Sequence, residues 1–357
     1  MDQSLVVRRY KEGDEKGIVE LMRLCFGTVD FDYYMRQWVW KYKKSPLGKY
    51  ILVVDHEGQI VAHNSHIPVS VKVGKKILES CIGTNAMTHP KYRRRGLQWK
   101  LRANAHDELV KASIYWQYSF PGEIFQRHPG TRTSYAVCKI PVMMKIFDTT
   151  EIVRKLIRIR VLAKVLSVWS NLIIGAFFKS KKKPIIEGVK ITKIVKFDDR
   201  INDFWNNVSK YFDIIVVRNK KYLNWRYSQR PDSNFRILLA EEDEKILGYI
   251  VFSSKDESGF IVDLLVFPHR LDVIQNLVVM AVEQLRKERV YRIICWMVKN
   301  NPYYRILRAN GFIHLPSRYA LYPLTVEIYS PSNVPTEFAK NPNNWYLTLG
   351  DTEGVIR

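Results

Sequence analysis

The sequence predicts an α/β (α+β) fold made of two tandem mixed-sheet domains. Three observations carry that expectation. Residues 5–119 read β-α-α-β-β-β-α-β, residues 235–309 repeat the later part of that order, and one short motif occurs twice, 185 residues apart. The composition fits a globular protein: 46% of the 357 residues are hydrophobic and 26% charged, with 9 Trp, 20 Tyr and 16 Phe to fill a core.

Residues 5–10 read as a short strand. Gly13 and Asp14 break it, and Ile18, Leu21, Met22 and Cys25 then recur at helical spacing until Gly27. A second helix is expected over 31–42. Residues 50–54 and 59–66 form a hairpin about Asp55-His56-Glu57-Gly58, and 69–73 continue its second strand beyond Pro68. A strand over 81–87, a helix over 97–110 and a strand over 112–119 follow, then an irregular segment. In the second half, strands are expected at 235–240, 246–253, 259–266 and 291–298. Helices are expected at 271–287 and 302–309, the last ended by Asn310-Gly311.

The duplicated motif is Trp40-Lys41-Tyr42-Lys43-Lys44-Ser45-Pro46 against Trp225-Arg226-Tyr227-Ser228-Gln229-Arg230-Pro231. Each copy is Trp, a base, Tyr, three residues and Pro, with a hairpin soon after. A helix end halted before proline accounts for the spacing. The repeat therefore argues for duplication of a fold unit, not of an active site.

Charge narrows the partners. Lys and Arg number 57 against 35 Asp and Glu, a formal charge of +22. Such an excess favours anionic ligands or surfaces, but no nucleic-acid motif accompanies it, so no specific nucleic acid is expected. Cys25, Cys81, Cys138 and Cys295 are far apart and lack metal spacing, which reads as reduced core thiols, no metal, and a cytoplasmic location. The charged start MDQSLVVRRYKEGDE has no apolar signal segment. Residues 151–184 are apolar but interrupted by Arg154, Lys155, Arg158, Arg160 and Lys164. That pattern is wrong for a spanning helix. A basic amphipathic helix making a peripheral membrane contact is one reading, and a helix covering the joint between the halves is the plainer one.

The chemistry concentrates in residues 84–101. A strand ends at Met87-Thr88-His89-Pro90, the basic turn Arg93-Arg94-Arg95-Gly96 follows, and a helix opens at Leu97-Gln98-Trp99. A helix N-terminus presents unpaired amides and a positive dipole end, which suits phosphate. Gly96 permits close backbone approach. This stretch resembles the GNAT acetyltransferase superfamily, whose turn is Gln/Arg-x-x-Gly-x-Gly/Ala. Arg93 to Gln98 fit it except that Gln98 stands where the family has a small residue. The resemblance implies tandem GNAT-like domains with helices on both sheet faces. It also implies acetyl-CoA as acyl donor, with pantetheine beside Ala86, Met87 and Thr88 and the diphosphate on Arg93, Arg94, Arg95, Gly96, Leu97, Gln98 and Trp99.

The resemblance continues at Asn301 to Phe312, which look like the family's last helix and its Gly-Phe stop. Phe267-Pro268-His269-Arg270-Leu271-Asp272 lacks the glycine turn, so the second half is expected to shape the acceptor site without binding CoA. The implied division is a CoA-binding domain at 1–150, a connecting segment at 151–189, a second domain at 190–330 and a tail at 331–357. Acyl transfer to an amine needs a base and a proton for the leaving thiolate. The family's tyrosine before Gly-Phe is replaced by Leu307, so Glu123 and Tyr135 are the expected base and acid. His63, His89 and His128 have no sequence partner and are taken as structural. An ordered tail would bring Asp351 or Glu353 near an acceptor, while a frayed acidic end fits as well. The implied function is N-acyl transfer to an amino sugar, peptide or small amine. A catalytically silent binding module and an aminoacyl- or long-chain acyltransferase at a membrane stand as alternatives.

Overall fold

The computed structural model describes residues 4–27, 30–121, 134–150, 153, 167–169, 186–232, 234–316 and 323–352. The chain divides into two compact units, each assembled from separate stretches of sequence. The first unit takes residues 1–138, 214–233 and 324–344, and the second takes 139–213, 234–323 and 345–357. Both are mixed α/β bodies, as expected.

The first unit is built on a sheet ordered β1-β2-β3-β4-β5-β15-β6. Its strands are β1 (Leu5–Arg9), β2 (Tyr50–His56), β3 (Gln59–Val73), β4 (Lys76–Thr88), β5 (Trp116–Ser119), β6 (Ser134–Lys139) and β15 (Pro323–Ile328). A further strand, β9 (Ile214–Val216), pairs with β3 at Val71–Val73. Around the sheet lie α1 (Glu15–Phe26), α2 (Phe31–Trp38) and α3 (Leu97–Lys111). In α3, Leu97, Leu101 and Ala105 recur every four residues, so they share one face. That face is buried on Leu52, Val54, Val61 and Ala62 of the hairpin. Burial of such side chains contributes about 1.5–3 kcal/mol each for the larger ones.

The second unit has a sheet ordered β14-β7-β13-β12-β11-β10-β8. These strands are β7 (Val142–Ile146), β8 (Lys190–Ile194), β10 (Arg236–Glu242), β11 (Lys245–Lys255), β12 (Ser258–Val266), β13 (Arg292–Trp296) and β14 (Ile313–His314). Its helices include α4 (Arg200–Val208), α6 (Leu271–Lys287) and α7 (Tyr304–Ala309). The stretches 214–233 and 324–344 add α5 (Lys220–Leu223) and α8 (Thr336–Lys340) to the first unit. The first sheet thus takes β9 and β15 from the second half of the sequence, and the second sheet takes β7 from the first half.

The expected helix over 31–42 ends differently. After Trp38 the backbone widens into a π-helical turn, Val39–Lys43, and the duplicate copy does the same at Asn224–Ser228. Both copies belong to the first unit. The Trp40 and Trp225 rings stack with centroids 5.1 Å apart. Each indole N–H donates to the other tryptophan's carbonyl, at 2.7 and 3.0 Å. Widening each turn lets one main-chain carbonyl turn outward to accept that bond. The expected strand over 112–119 is shorter, because Ala112 and Ser113 complete the α3 terminus. Strand β4 begins earlier than the expected 81, at Lys76.

Candidate active site

Strands β4 and β5 run parallel but pair only at Cys81–Gln117 and Ile82–Tyr118. Beyond Ser119 the partner strand ends, while β4 continues to Thr88. Across from β4, the β3 register slips, so that the single residue Asn64 faces Asn85 and Ala86 together. This bulge carries Asn85 at φ +48°, a left-handed conformation that asparagine tolerates better than most side chains. Ala86, Met87 and Thr88, the expected pantetheine strand, therefore lie on the stretch that β5 has left.

After Thr88 the chain turns through Pro90–Tyr92 and reaches Arg94 at φ +64° and Gly96 at φ +71°. Trp99 N and Lys100 N donate to Gly96 O. The amides of Arg94, Arg95, Gly96, Leu97 and Gln98 make no backbone hydrogen bond among the described residues. Nothing lies within 4 Å of the position a Gly96 Cβ would occupy. Arg93, Arg94 and Arg95 are exposed, and no acidic residue stands in the first turn of α3. The result is a set of convergent donors in a positive field, suited to a diphosphate.

Gln98 occupies the position where the sequence departs from the family pattern, and its side chain faces the sheet. Its Nε2 donates to Met87 O at 2.6 Å, Thr88 Oγ1 at 3.1 Å and His63 O at 3.2 Å. The carboxamide ties the helix start to the end of β4 and to β3. Arg93 Nε donates to Thr88 O at 3.3 Å, and the Arg95 guanidinium lies 5.0 Å from the Tyr92 ring centre. Trp99 is half exposed, with Arg102 over its ring at 5.5 Å.

Where β4 and β5 part, a buried polar group comes from β15. Glu327 accepts from Gln117 Nε2 at 2.6 Å and from Arg102 Nη2 at 2.9 Å. The Gln117 carboxamide fills the space beside Gly83, where a Cβ would come within 2.9 Å of it. Sequence reasoning missed Glu327. Its signal was an acid flanked by two apolar residues, Val326 and Ile328.

Two imidazoles are buried in β3. His63 and His66 are both pushed down to about 4, chiefly by desolvation, so both are neutral near pH 7. His63 Nδ1 lies 2.8 Å from Asn85 O. A carbonyl only accepts, so Nδ1 carries the proton and Nε2 holds a bare lone pair. Among the described residues that Nε2 meets no donor. Of the expected catalytic pair, Tyr135 lies on β6, half-buried, with Lys340 Nζ 4.8 Å from its ring centre. Glu123 and His128 fall outside the described residues, as do Glu353 and most of 151–184.

In the second unit the corresponding strands also part: β12 and β13 pair from Ser258–Arg292 to Phe260–Ile294, and β12 continues to Val266. Here the free stretch is met by side chains. Tyr346 OH donates to Leu264 O, and Tyr303 OH bridges Val266 N and O. Thr348 Oγ1 donates to Asp263 at 3.2 Å. Asp351 is buried and caps its own short turn by accepting from Thr348 N at 2.8 Å. Arg270, the one arginine of the turn before α6, is held by Asp272 at 3.0 Å and Glu242 at 3.2 Å. Among the described residues no group of three or more His, Cys, Asp or Glu side chains is gathered to hold a metal, and no helix is long and apolar enough to cross a membrane.

Residues 6–128, the stretch holding the bulge, the basic turn and both diverging strands, match the family model of the acetyltransferase (GNAT) domain. Residues 6–128 carry a GNAT acetyltransferase domain. That domain supports an acyltransferase activity. Solved structures of acyltransferases share the fold across nearly the whole chain. A probable N-acyltransferase of unknown function from Enterococcus faecalis superposes with a TM-score of 0.65 at 13% identity, over 93% of this chain and 74% of that one. A GCN5-related N-acetyltransferase from Anabaena variabilis does so at 0.64 and 11%, over 92% and 74%. N-myristoyltransferase from Saccharomyces cerevisiae, solved with myristoyl-CoA, gives 0.58 and 13%, over 92% and 83%. No curated protein matches the chain by sequence.

Proposed function

We propose that the protein transfers an acyl group from acetyl-CoA to the amine of a sugar, peptide or small molecule. The observation that carries this reading is the turn from Arg93 to Gln98: five consecutive amides without backbone partners among the described residues, two left-handed residues and three exposed arginines, after a strand whose neighbour has departed. A diphosphate seated there would leave the pantetheine arm running along Thr88, Met87 and Ala86 toward the bulge. Oriented binding of the thioester beside an amine supplies much of the rate by proximity alone. Within this reading Glu123 is the base and Tyr135 the donor to the leaving thiolate. The net charge of +22 would draw a tetra-anionic cofactor in.

Calorimetric titration tests the reading. Acetyl-CoA binds the native protein, and Gly96→Asp weakens it at least a hundredfold, because the new carboxylate meets the diphosphate in a left-handed position that favours glycine. Equal affinity in the two proteins contradicts the proposal. A second donor is worth the same titration. The fold likeness to N-myristoyltransferase supports a long-chain alternative at a membrane surface, and tighter binding of myristoyl-CoA than of acetyl-CoA would select it.

A further inference from the structure

We infer that the side-chain amide of Asn85 is built to receive the carbonyl oxygen of the acyl group, making Asn85 the residue that distinguishes acylated from free CoA. The inference rests on the acyl-CoA reading above.

Asn85 is 7% exposed and sits at φ +48° in the bulge of β4. Nearly everything polar about it is already engaged. Its backbone carbonyl accepts from His63 Nδ1 at 2.8 Å. Its Oδ1 accepts from Thr84 Oγ1 at 2.9 Å and from Lys41 Nζ at 3.4 Å. Two donors on one atom identify that atom as the oxygen and fix the plane of the carboxamide. The remaining Nδ2 is buried and has no partner among the described residues. Leaving a buried donor unpaired is costly, so a group held this firmly in that state calls for an acceptor. The required partner is an uncharged or anionic oxygen.

The position tells which oxygen. Asn85 lies three residues past the last β4–β5 pair, at Ile82, and three residues before the end of β4 at Thr88. A pantetheine arm leaving the basic turn along β4 reaches the bulge with its thioester. The Lys41 ammonium, buried behind Oδ1, polarises the amide so that Nδ2 becomes a stronger donor as negative charge grows on the carbonyl oxygen. Lys41 belongs to the π-helical turn after α2, so the widened turn of the duplicated motif gains a role in the first unit: it brings a cation beneath the bulge.

The test compares acetyl-CoA with CoA, because only the former carries the oxygen. Titration calorimetry on the native protein is expected to show acetyl-CoA bound about five- to tenfold more tightly than CoA, the worth of one buried hydrogen bond. Asn85→Gly accepts the positive φ and removes the amide; it should abolish the preference while CoA affinity stays within twofold. Asn85→Asp keeps the shape and replaces the donor by a carboxylate, and should reverse the preference. Melting temperatures of the two variants establish that each is folded, and either one suffices. An undiminished preference for acetyl-CoA in a folded variant, or no preference in the native protein, overturns the inference. A native protein that binds neither ligand overturns instead the acyl-CoA reading on which it stands.

Discussion

The two units open the same gap between parallel strands and treat it in opposite ways. In the first, β4 outruns β5 and leads into a glycine turn with three exposed arginines and five amides that have no backbone partner among the described residues. In the second, β12 outruns β13, but Tyr303, Tyr346 and Thr348 bond to the free stretch, and the single turn arginine is neutralised by Asp272 and Glu242. A diverging strand pair is therefore a feature of the architecture, and in the proposed reading a ligand site arises only where the turn that follows is positive and permissive. The duplicated motif is similarly unequal: Lys41 reaches Asn85, whereas Arg226 lies over the Trp40 ring at 5.8 Å.

The largest expected effect comes from inverting the charge of the first turn. Replacing Arg93, Arg94 and Arg95 together by Glu should weaken acetyl-CoA about a thousandfold in a binding titration, since charge-assisted contacts contribute about 1.5–3 kcal/mol each. Arg270→Glu in the other turn should leave that affinity within twofold. If both changes weaken binding alike, the contrast between the turns is wrong.

Next in size is Tyr346→Ala. Removing a buried aromatic ring and its bond to Leu264 should cost about 3–5 kcal/mol of stability, read by denaturant unfolding, with acetyl-CoA affinity of the folded protein unchanged. A loss of affinity without loss of stability would move the ligand into the second unit.

Acid should separate the units as well. His63 and His66 lie on β3, and β11, its counterpart, has no histidine. Unfolded imidazoles take up protons near pH 6.5, while the buried ones refuse them until about 4. The unfolded chain thus binds more protons in that window, and stability falls as pH drops from 6.5 to 4, by roughly 3 kcal/mol for each histidine. Hydrogen exchange should report residues 59–88 opening before 245–266, and His66→Gln should flatten the slope. Equal acid sensitivity of the two stretches would contradict the assignment.

Much of the first site was legible because its signals are local. A strand, a proline, a basic turn with one glycine and a helix start are adjacent in sequence, and the structure assembles Ala86 to Trp99 in that order. The ordered tail was half legible: Asp351 is buried, but in the second unit, capping its own turn. What sequence could not supply is partner choice. Val142–Ile146 and Pro323–Ile328 are not among the strands the sequence predicts, and nothing local in them says which sheet they join, so β7, β15 and the buried Glu327 came only with the fold. The bulge at Asn85 was hidden for a related reason. Asparagine permits a left-handed residue without requiring it, and the slip of register that demands one depends on pairing with β3. His63 has no partner near it in sequence, and the one the fold supplies is Asn85 O, 22 residues away.

A crystal structure with CoA tests the central claim most directly. The account predicts diphosphate oxygens within hydrogen-bond reach of the amides from Arg94 to Gln98, with pantetheine lying along Ala86 to Thr88. A diphosphate seated at Phe267–Asp272, or anywhere other than the turn before α3, would contradict it.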